Sequence, residues 1–431
     1  MATLWMIATF LGLAIVGVPV CAAMGIGAFL GLFLIGAPFD VFPRYMLHDV
    51  RSVPLLAIPF FILAGNLMNR FGLTRRIFEF IQSLFGAVTA GMAQVNVLSS
   101  IVFAGISGSA LADIAGLGTM QIEAMRRAGY RAEFAAAITI ASSLLAPIIP
   151  PSIMFIIYGV MMNVSIGELF VAGILPGLTM AVVLVINNLV LAKLGWEHFP
   201  QGRRSSWPEI KRAFWRGLPA LLTPVVIMRG MITGLVTPTE ASVLAVLYAL
   251  MLGLIYGELR LASLREALSS SARTTTLIMF LTGIGSVLSF VITSEQVADQ
   301  LAQILIGMTD SKWVILCLVV PCLLLLGSFV ETVPAMLISI PLFGPLVVKY
   351  GIDPVHFGVV LTYTLLLGIV HPPVGLGLFA VCAVAKLKLE AVTLATMKFY
   401  PAFLFVLLLY MFVPSLSTWL PSVVFAKGGS P

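Results

Sequence analysis

Long apolar runs separated by short polar connections dominate the chain. Thirteen apolar segments follow one another, at residues 4–35, 53–69, 77–98, 99–121, 134–161, 168–193, 217–236, 239–257, 274–293, 313–328, 333–350, 356–385 and 399–425. Most of them approach or exceed the roughly 20 apolar residues that an α-helix needs to cross the hydrocarbon core of a membrane. The pattern therefore predicts an all-α polytopic membrane protein.

The first apolar segment, residues 4–35, is longer than a single span requires. No basic region precedes it, and it is too long for the apolar core of a secretory signal. We therefore predict a retained first span, either a long tilted helix or a helix bent near Pro19.

The polar connections carry most of the basic residues. Arg70–Arg76, Arg126–Arg131 and Gly257–Arg273 are basic, and the positive-inside rule places such connections in the cytoplasm. Residues 196–216 form the most polar interval and are predicted to be a basic linker between two halves of the chain. Trp207 in this linker suits an interfacial helix along the membrane surface, and a solvated loop is the alternative.

The composition agrees with a membrane protein and argues against other classes. Hydrophobic residues make up 60% of the chain and charged residues only 10%, whereas a soluble protein carries roughly a quarter charged residues. The net charge of +6 belongs to the polar connections, so it does not indicate a nucleic-acid partner. The chain has no P-loop, HExxH or GxSxG motif, so we expect neither an ATP motor nor an enzyme.

Two proline pairs interrupt apolar segments in matching contexts. Pro150-Pro151 and Pro372-Pro373 lie 222 residues apart. A proline removes a backbone donor and clashes with the carbonyl four residues before it, so each pair predicts a broken helix, within residues 134–161 and 356–385. In a membrane such a break is tolerated only where it is buried in protein or lines a cavity.

Other short stretches repeat with nearly the same offset. They are Pro19 with Pro238 (219 residues), Ile58 with Ile278 (220) and the stretches that begin at Ala104 and Leu326 (222). The constant order and offset predict a duplication, with a first repeat at 1–195, the linker at 196–216 and a second repeat at 217–431. The two repeats run either parallel or inverted, depending on the number of spans.

Each half also contains a small, polar stretch inside an apolar one. Phe103–Asp113 is rich in glycine and serine, and Gly327–Pro334 is its counterpart. Glycine permits the tight turn of a re-entrant helical hairpin, and serine hydroxyls replace water around a cation. We predict hairpins near 99–125 and 313–350, and close packing of small residues between helices is the alternative.

The hairpin tips and helix breaks together supply the oxygen ligands that Na⁺ prefers. The predicted first Na⁺ site consists of Ser107, Ser109 and the carbonyls of Ala146, Ile149 and Pro151. The predicted second site consists of Gly327, Glu331, Thr332, Gly368, His371 and Pro373. The candidate substrate residues are Gly108, Ser152 and Gly375. Half-helix N-termini at such breaks suit an anionic group of the substrate.

Several polar residues near these sites have more than one interpretation. Glu331 could ligate a cation, accept a proton or hold the second hairpin through backbone hydrogen bonds. His371 could relay protons or serve in packing. Asp113 is either structural or near an interface. Asn66, Asn96 and Asn163 are predicted to join helices through hydrogen bonds.

Six stretches across nearly the whole chain resemble the large membrane subunit of tripartite ATP-independent periplasmic (TRAP) transporters. They are Ile58–Gly65, Phe103–Asp113, Ala146–Ser152, Gly234–Ala241, Gly327–Pro334 and His371–Leu378. The resemblance implies an elevator-type secondary transporter driven by the Na⁺ gradient. It also implies uptake of a carboxylate, such as a sialic acid or a C4-dicarboxylate, across the bacterial inner membrane.

The resemblance further implies two protein partners. A periplasmic substrate-binding protein delivers the substrate, and a small four-helix membrane subunit stiffens the scaffold. Because the large-subunit pattern begins near Met1, we expect the small subunit to be a separate chain. An H⁺-coupled or exchange carrier of the same architecture is one alternative, and an ion channel is another.

Overall fold

The computed structural model describes residues 1–306, 309, 311–372 and 375–425, and every regular element in these ranges is a helix. The first half contains α1 (Ala2–Ile15), α2 (Val20–Leu34), α3 (Val41–His48), α4 (Ala57–Arg70), α5 (Leu73–Phe85), α6 (Gly91–Ser107), α7 (Ala110–Asp113), α8 (Thr119–Arg127), α9 (Ala132–Ser143), α10 (Ile153–Met162) and α11 (Ile166–Lys193). The second half contains α12 (Trp207–Ile232), α13 (Pro238–Ile255), α14 (Leu261–Ser294), α15 (Val297–Ile306), α16 (Lys312–Phe329), α17 (Thr332–Lys349), α18 (Pro354–Gly368), α19 (Leu376–Ala385), α20 (Leu389–Thr396), α21 (Tyr400–Phe412) and α22 (Ser415–Phe425). The all-α prediction is confirmed.

Seven helical stretches in the described ranges are long and apolar enough to cross a membrane. They are Val53–Arg70, Ile166–Lys193, Pro238–Ile255, Leu261–Ser294, Lys312–Phe329, Thr332–Lys349 and Leu389–Phe412. These stretches are those of a multi-pass membrane protein. The helices α6, α9, α10, α18 and α19 are also apolar but shorter, so each is long enough to cross only part of a membrane.

The N-terminal apolar segment forms two helices, so the prediction of one retained span is wrong. Gly17, with a φ of +93°, and Pro19 reverse the chain between α1 and α2. The two helices then pack antiparallel, because a Cβ built on Gly31 would lie 2.9 Å from the sulfur of Met6. The glycine-rich face of α2 allows this close approach, which the apolar pattern alone did not reveal.

Two predicted polar connections continue as helix. The linker between the halves is irregular only up to Ser206, where the backbone N–H of Ser206 donates to the Glu209 carboxylate at 2.8 Å and α12 begins. Because α12 continues to Ile232, the predicted interfacial helix at 196–216 is the first part of a longer helix. Likewise, α14 runs through most of the predicted basic connection before it becomes apolar. Charged residues on an exposed face do not end a helix, so polarity alone misplaced both boundaries.

Pro150-Pro151 and Pro372 lie in interruptions between shorter helices. The first break, residues 144–152, separates α9 from α10, and the second break, described at residues 369–372 and 375, separates α18 from α19. A Cβ built on Gly377 would lie 3.1 Å from Cδ1 of Ile140, so α19 lies beside α9. A Cβ built on Gly358 would lie 2.7 Å from the ring of Tyr158, so α18 lies beside α10. The two broken helices therefore lie side by side and run in opposite directions.

One end of the molecule collects many of the basic connections. The Lys398 ammonium donates to the Glu197 carboxylate at 2.7 Å, which fastens the start of the linker to the segment after α20. A Cβ on Gly129 would lie 3.4 Å from the ring of Pro200, so the connection after α8 also lies there. We call this the basic end. The helix α8 ends just before Gly129, and a Cβ built on Gly202 of the linker would contact the carbonyl of Gly86, so α8 ends and α6 begins at the basic end. The turn between them, at residues 107–109, therefore lies at the opposite end.

Candidate functional site

The turn between α6 and α7 lies against the first helix break. We call residues 107–109 the first tip. Gly108 has a φ of +60°, and a Cβ there would lie only 2.7 Å from the carbonyl oxygen of Pro151. Glycine is thus required by both the backbone conformation and the close approach. The hydroxyl of Ser109 accepts from the backbone N–H of Ala112 at 3.5 Å, so Ser109 caps α7.

The first break leaves several carbonyl oxygens without hydrogen bonds. The amides of Ile148 and Ile149 both donate to the carbonyl of Leu145, at 3.1 and 2.9 Å. Within the described residues, the carbonyl oxygens of Ala146, Ile149 and Pro151 accept no hydrogen bond. A buried carbonyl oxygen normally has a hydrogen-bond donor or another partner. A hard cation can be that partner, because it prefers oxygen ligands.

Ser152 has a structural role in this break. Its hydroxyl donates to the carbonyl of Pro147 at 2.5 Å and accepts from the backbone N–H of Phe155 at 3.2 Å. It is fully buried and caps α10. The Ser152 hydroxyl therefore has both of its hydrogen-bond partners within the protein. Its predicted role as a substrate ligand stays a prediction.

A buried carboxylate lies behind the first tip. Asp113 is 2% exposed, and the Ser107 hydroxyl donates to it at 3.5 Å. Asp113 directly precedes a π-helical turn, Ile114–Gly118, that joins α7 to α8. Such turns often occur at functional sites. The contact joins Ser107 to the second arm of its own hairpin and supports the structural interpretation of Asp113.

The second half repeats the contact between a turn and a break, through backbone atoms. We call residues 330–332 the second tip. Ahead of it, Gly327 in α16 meets Gly368 at the end of α18, since a Cβ on Gly368 would lie 2.3 Å from the carbonyl carbon of Gly327. The backbone N–H of Gly375 donates to the carbonyl of Ser328 at 3.2 Å. The structure thus brings Gly327, Gly368 and Gly375 together.

The carbonyls of the second break are more occupied than those of the first. The Gly368 carbonyl accepts from the His371 amide at 3.0 Å, and the Ile369 carbonyl accepts from the Gly377 amide at 2.9 Å. A ring nitrogen of His371 contacts the carbonyl of Pro372, and the ring lies 5.9 Å from that of Tyr400. These contacts agree with a packing role for His371.

One of the predicted ligands of the second Na⁺ site, Pro373, lies outside the described residues. Glu331 and Thr332 occupy a different place from Gly327 and Gly368. Glu331 precedes α17 and its carboxylate makes no capping hydrogen bond.

A cavity of about 470 Å³ lies between the two tips. Ser107, Gly108 and Ser109 line it from the first tip, and Glu331 and Thr332 line it from the second. Among the described residues, Gly327, Gly368, His371, Ser152 and Gly375 do not line it. The predicted second site is thereby divided between the cavity and the second break.

The far wall of the cavity consists of α4 and α14. Asn66 and Asn69 of α4 and Ser270 and Thr274 of α14 face the space. The amide of Asn66 also donates to Ser271 of α14 at 2.8 Å, which confirms its predicted role in joining helices.

Asn69, Ser270 and Thr274 were not singled out from the sequence. Their spacing provides a signal, because residues three or four apart share one helix face. Asn96 also joins helices, since its amide donates to the Thr139 hydroxyl at 2.8 Å.

The cavity contains no basic side chain among its described lining residues, and Glu331 is its one ionisable group. The described residues also contain no cluster of three or more His, Cys, Asp or Glu side chains suited to a metal ion. A transition-metal centre therefore has no ligand set there. Hydroxyl and carbonyl oxygens instead suit a hard, weakly bound cation.

Comparison with known proteins identifies the family. The family described as the tripartite ATP-independent periplasmic transporter, DctM component, matches residues 7–416. The chain is similar to the sialic acid TRAP transporter large permease protein SiaM of Vibrio cholerae, with 37% identity over 97% of this chain and 98% of that protein. It is also similar to the C4-dicarboxylate TRAP transporter large permease protein DctM of Pseudomonas aeruginosa, with 34% identity over 85% of this chain and 86% of that protein.

A solved structure shares the fold. The YdaH transporter of Alcanivorax borkumensis superposes with a TM-score of 0.61 and 14% identity, covering 89% of this chain and 88% of that one. At this identity the likeness concerns the fold and not the substrate. The chain belongs to the DctM family of TRAP transporter large permeases, which are membrane transporters and not enzymes.

Proposed function

We propose that the protein takes up an organic carboxylate by Na⁺-coupled secondary transport, with the substrate in the cavity between the two tips. The observation that carries the proposal is the convergence of both tips on one cavity. Each tip comes from a different half of the chain and lies near a helix break. Substrate and coupling ions of secondary transporters bind at such interrupted helices.

The proposed first Na⁺ site joins the first tip to the first break. The hydroxyls of Ser107 and Ser109 and the unpaired carbonyls of Ala146, Ile149 and Pro151 are its ligands. The close approach of Gly108 to the Pro151 carbonyl supports this site, because it places the backbone of the first tip directly beside the first break. A bound cation would satisfy carbonyls that otherwise lack a partner.

The proposed second Na⁺ site joins Gly327 to the second break. Its backbone carbonyl ligands are those of Gly327, Gly368 and His371, together with Pro373. The hydrogen bond from His371 to Gly368 leaves one lone pair of that carbonyl for a cation. We propose that the Glu331 carboxylate and the Thr332 hydroxyl, which line the cavity at the second tip, complete this site.

The proposed substrate is an anion, in keeping with two relatives that are named for sialic acid and for C4-dicarboxylates. The described cavity lining has no basic side chain to balance a carboxylate. Two other sources of positive potential remain. The first residues of α10 and α17 line the cavity, and helix N-termini favour anions. Bound Na⁺ supplies full charges.

Na⁺ binding and substrate binding are coupled if each one orders the part of the protein that the other contacts. Na⁺ at a tip and a break fixes both walls of the cavity, so the substrate loses less conformational freedom on binding. We propose that the two hairpins are re-entrant and move together with the broken helices, as one transport domain against the remaining scaffold. This elevator motion would carry the loaded cavity across the inner membrane.

Two partners belong to this proposal. A periplasmic substrate-binding protein delivers the substrate, and a small membrane subunit completes the scaffold. The membership of the chain in the family of tripartite transporters supports both.

The test is uptake into proteoliposomes that contain this chain and its two partner proteins. A Na⁺ gradient at equal pH on both sides is expected to drive accumulation of radiolabelled carboxylate. A K⁺ gradient of the same size is the matched control and is expected to drive none. Equal accumulation of the carboxylate with and without a Na⁺ gradient would exclude Na⁺ coupling.

A second candidate, an H⁺-coupled carrier of the same architecture, rests on Glu331. This carboxylate faces the cavity and has no hydrogen-bond or ion-pair partner among the described residues. A lone carboxylate in a membrane protein needs a cation or a proton. The same vesicles distinguish the two, because uptake driven by a pH gradient in the absence of Na⁺ would favour the proton.

A further inference from the structure

A groove with basic residues lies at the basic end, far from the two tips. It runs between the end of α8 and the end of α19, and has a volume of about 580 Å³. Its lining includes Ile122, Glu123, Arg126, Arg127, Val384 and Lys386. Three of these residues are basic and one is acidic. The groove is thus a concave surface with a positive charge, between one helix of the first half and one of the second.

The positive charge is not neutralised within the protein. Arg127 forms an ion pair with Glu123 one turn earlier on α8. Arg126 and Lys386 are exposed, and neither makes an ion pair or side-chain hydrogen bond within the described part of the chain. These two unpaired charges lie on opposite walls of the groove. A single anion between them would therefore contact both walls.

Part of the groove wall is apolar. The side chain of Ile122 is buried, Val384 is partly buried, and Ala385 is buried beside it. Both helices end in this groove, at Arg127 and Ala385, where apolar segments give way to polar connections. By the positive-inside rule this is the level of the cytoplasmic headgroups. An apolar wall with a basic rim at that level matches the chemistry of a phospholipid.

We propose that this groove binds the headgroup phosphate of an anionic phospholipid, held between Arg126 and Lys386. The acyl chains would lie along the apolar wall, and the phosphate would accept hydrogen bonds from the guanidinium and the ammonium. The two walls come from different halves of the chain, so the bound lipid would join α8 of the first half to α19 of the second. This site is separate from the cavity and does not depend on what is transported.

Basic residues near helix C-termini also have a simpler explanation. Cations there stabilise the helix dipole without any ligand. That role predicts a loss of stability when the charge is removed, irrespective of the lipids present. The lipid site instead predicts an effect that needs anionic lipid, so the two explanations are separable.

The test measures lipid retention by native mass spectrometry. The protein is reconstituted in nanodiscs of phosphatidylcholine and phosphatidylglycerol, extracted with detergent and weighed with its bound lipids. Each basic residue near an anionic surface contributes about a factor of five to binding. Arg126→Gln with Lys386→Gln is therefore expected to lower phosphatidylglycerol retention about 25-fold. The matched control, Lys211→Gln with Arg212→Gln, removes the same charge from the exposed part of α12 and is expected to change little.

Two further arms complete the experiment. Arg126→Lys keeps the charge and is expected to retain the lipid, which separates lost charge from misfolding. Inorganic phosphate in excess is expected not to displace the lipid, since it cannot use the apolar wall. Equal retention of phosphatidylcholine, equal losses in the two double variants or displacement by phosphate alone would each overturn the proposal.

Discussion

The first tip and the second tip each lie near a helix break, but the groups that meet there differ. At the first, Gly108 lies against the Pro151 carbonyl, which accepts no hydrogen bond in the described structure, and a serine flanks the glycine on each side. At the second, Gly327 meets Gly368 backbone to backbone, and the nearby carbonyls already accept amide protons. A carboxylate, Glu331, takes the place of the hydroxyls.

This difference indicates that the two proposed cation sites bind Na⁺ with different affinities. A site of neutral oxygens binds a cation weakly and reversibly, whereas a carboxylate supplies a full charge. We infer that the second site contributes more of the Na⁺ affinity and the first responds more to local geometry. The expected effects of substitution follow from this inequality.

The largest effect is expected where Gly327, just before the second tip, meets Gly368 at the end of α18. In Gly368→Ala the new Cβ would lie 2.3 Å from the carbonyl carbon of Gly327, and neither backbone can move aside freely. Overpacking of this kind costs about 3 kcal/mol, so we expect transport to be lost and thermal stability to fall. Gly12→Ala, where a Cβ meets nothing within 4 Å, is the control.

Gly108→Ala tests the corresponding backbone contact at the first tip. Its Cβ would lie 2.7 Å from a single oxygen, and its φ of +60° adds strain of about 1 kcal/mol. We expect a smaller loss of stability than for Gly368→Ala, measured as the shift in melting temperature of the purified protein. A larger loss at Gly108 would reverse the order proposed for the two contacts.

The next effect concerns the charge at the second tip. Glu331→Gln keeps the shape but removes the carboxylate, and an interaction with a charged group contributes about 2 kcal/mol. We expect the Na⁺ concentration for half-maximal uptake to rise about 30-fold. Glu390→Gln, at the exposed start of α20, removes the same charge away from the cavity.

An unchanged Na⁺ dependence in Glu331→Gln would remove this residue from the cation site. Loss of a pH-driven component together with normal Na⁺ dependence would instead favour the proton-coupled alternative.

Much of the architecture could be predicted from the sequence, because glycine and proline act locally. The adjacent Pro150-Pro151 pair and the Gly108 turn each interrupt a helix, whereas the single prolines Pro176 and Pro321 lie inside continuous helices. What failed depended on contacts between distant segments. The reversal at Gly17 places Met6 against Gly31, and no local pattern distinguishes this from one bent span.

The site was predicted in part for the same reason. Ser107 and Ser109 lie at a turn that glycine defines, so their place was accessible from the sequence. Asn69 and Thr274 lie on long helices whose facing sides are set by packing, so they were missed. Ser152 caps α10, a role that depends on where α10 begins and that no local pattern reveals; its part in a substrate site stays a prediction.

A smaller effect is expected for the hydroxyls of the first tip. Ser107→Ala and Ser109→Ala each remove one neutral ligand, worth about 1 kcal/mol, so the half-maximal Na⁺ concentration should rise about fivefold. Ser83→Ala, whose hydroxyl donates to the Phe80 carbonyl outside the cavity, is the control. An effect as large as that of Glu331→Gln would contradict the proposed inequality of the two sites.

The smallest effect is expected on the wall opposite the tips. Asn69→Ala removes an amide that faces the cavity and packs against Gly116. If it hydrogen-bonds the substrate, KM should rise about fivefold while the Na⁺ dependence stays unchanged. Asn187→Ala, at the far end of α11, is the control. A shift in Na⁺ dependence would place Asn69 in a cation site instead.

We propose that two related but unequal cation sites flank one cavity. Equilibrium binding of radioactive Na⁺ to the purified protein measures how many sites exist and how tightly each binds. Two Na⁺ are expected to bind per chain, and the weaker one is expected to be lost in the double variant Ser107→Ala and Ser109→Ala. No saturable Na⁺ binding, or equal loss of both ions in that variant, would overturn the proposal of two unequal sites.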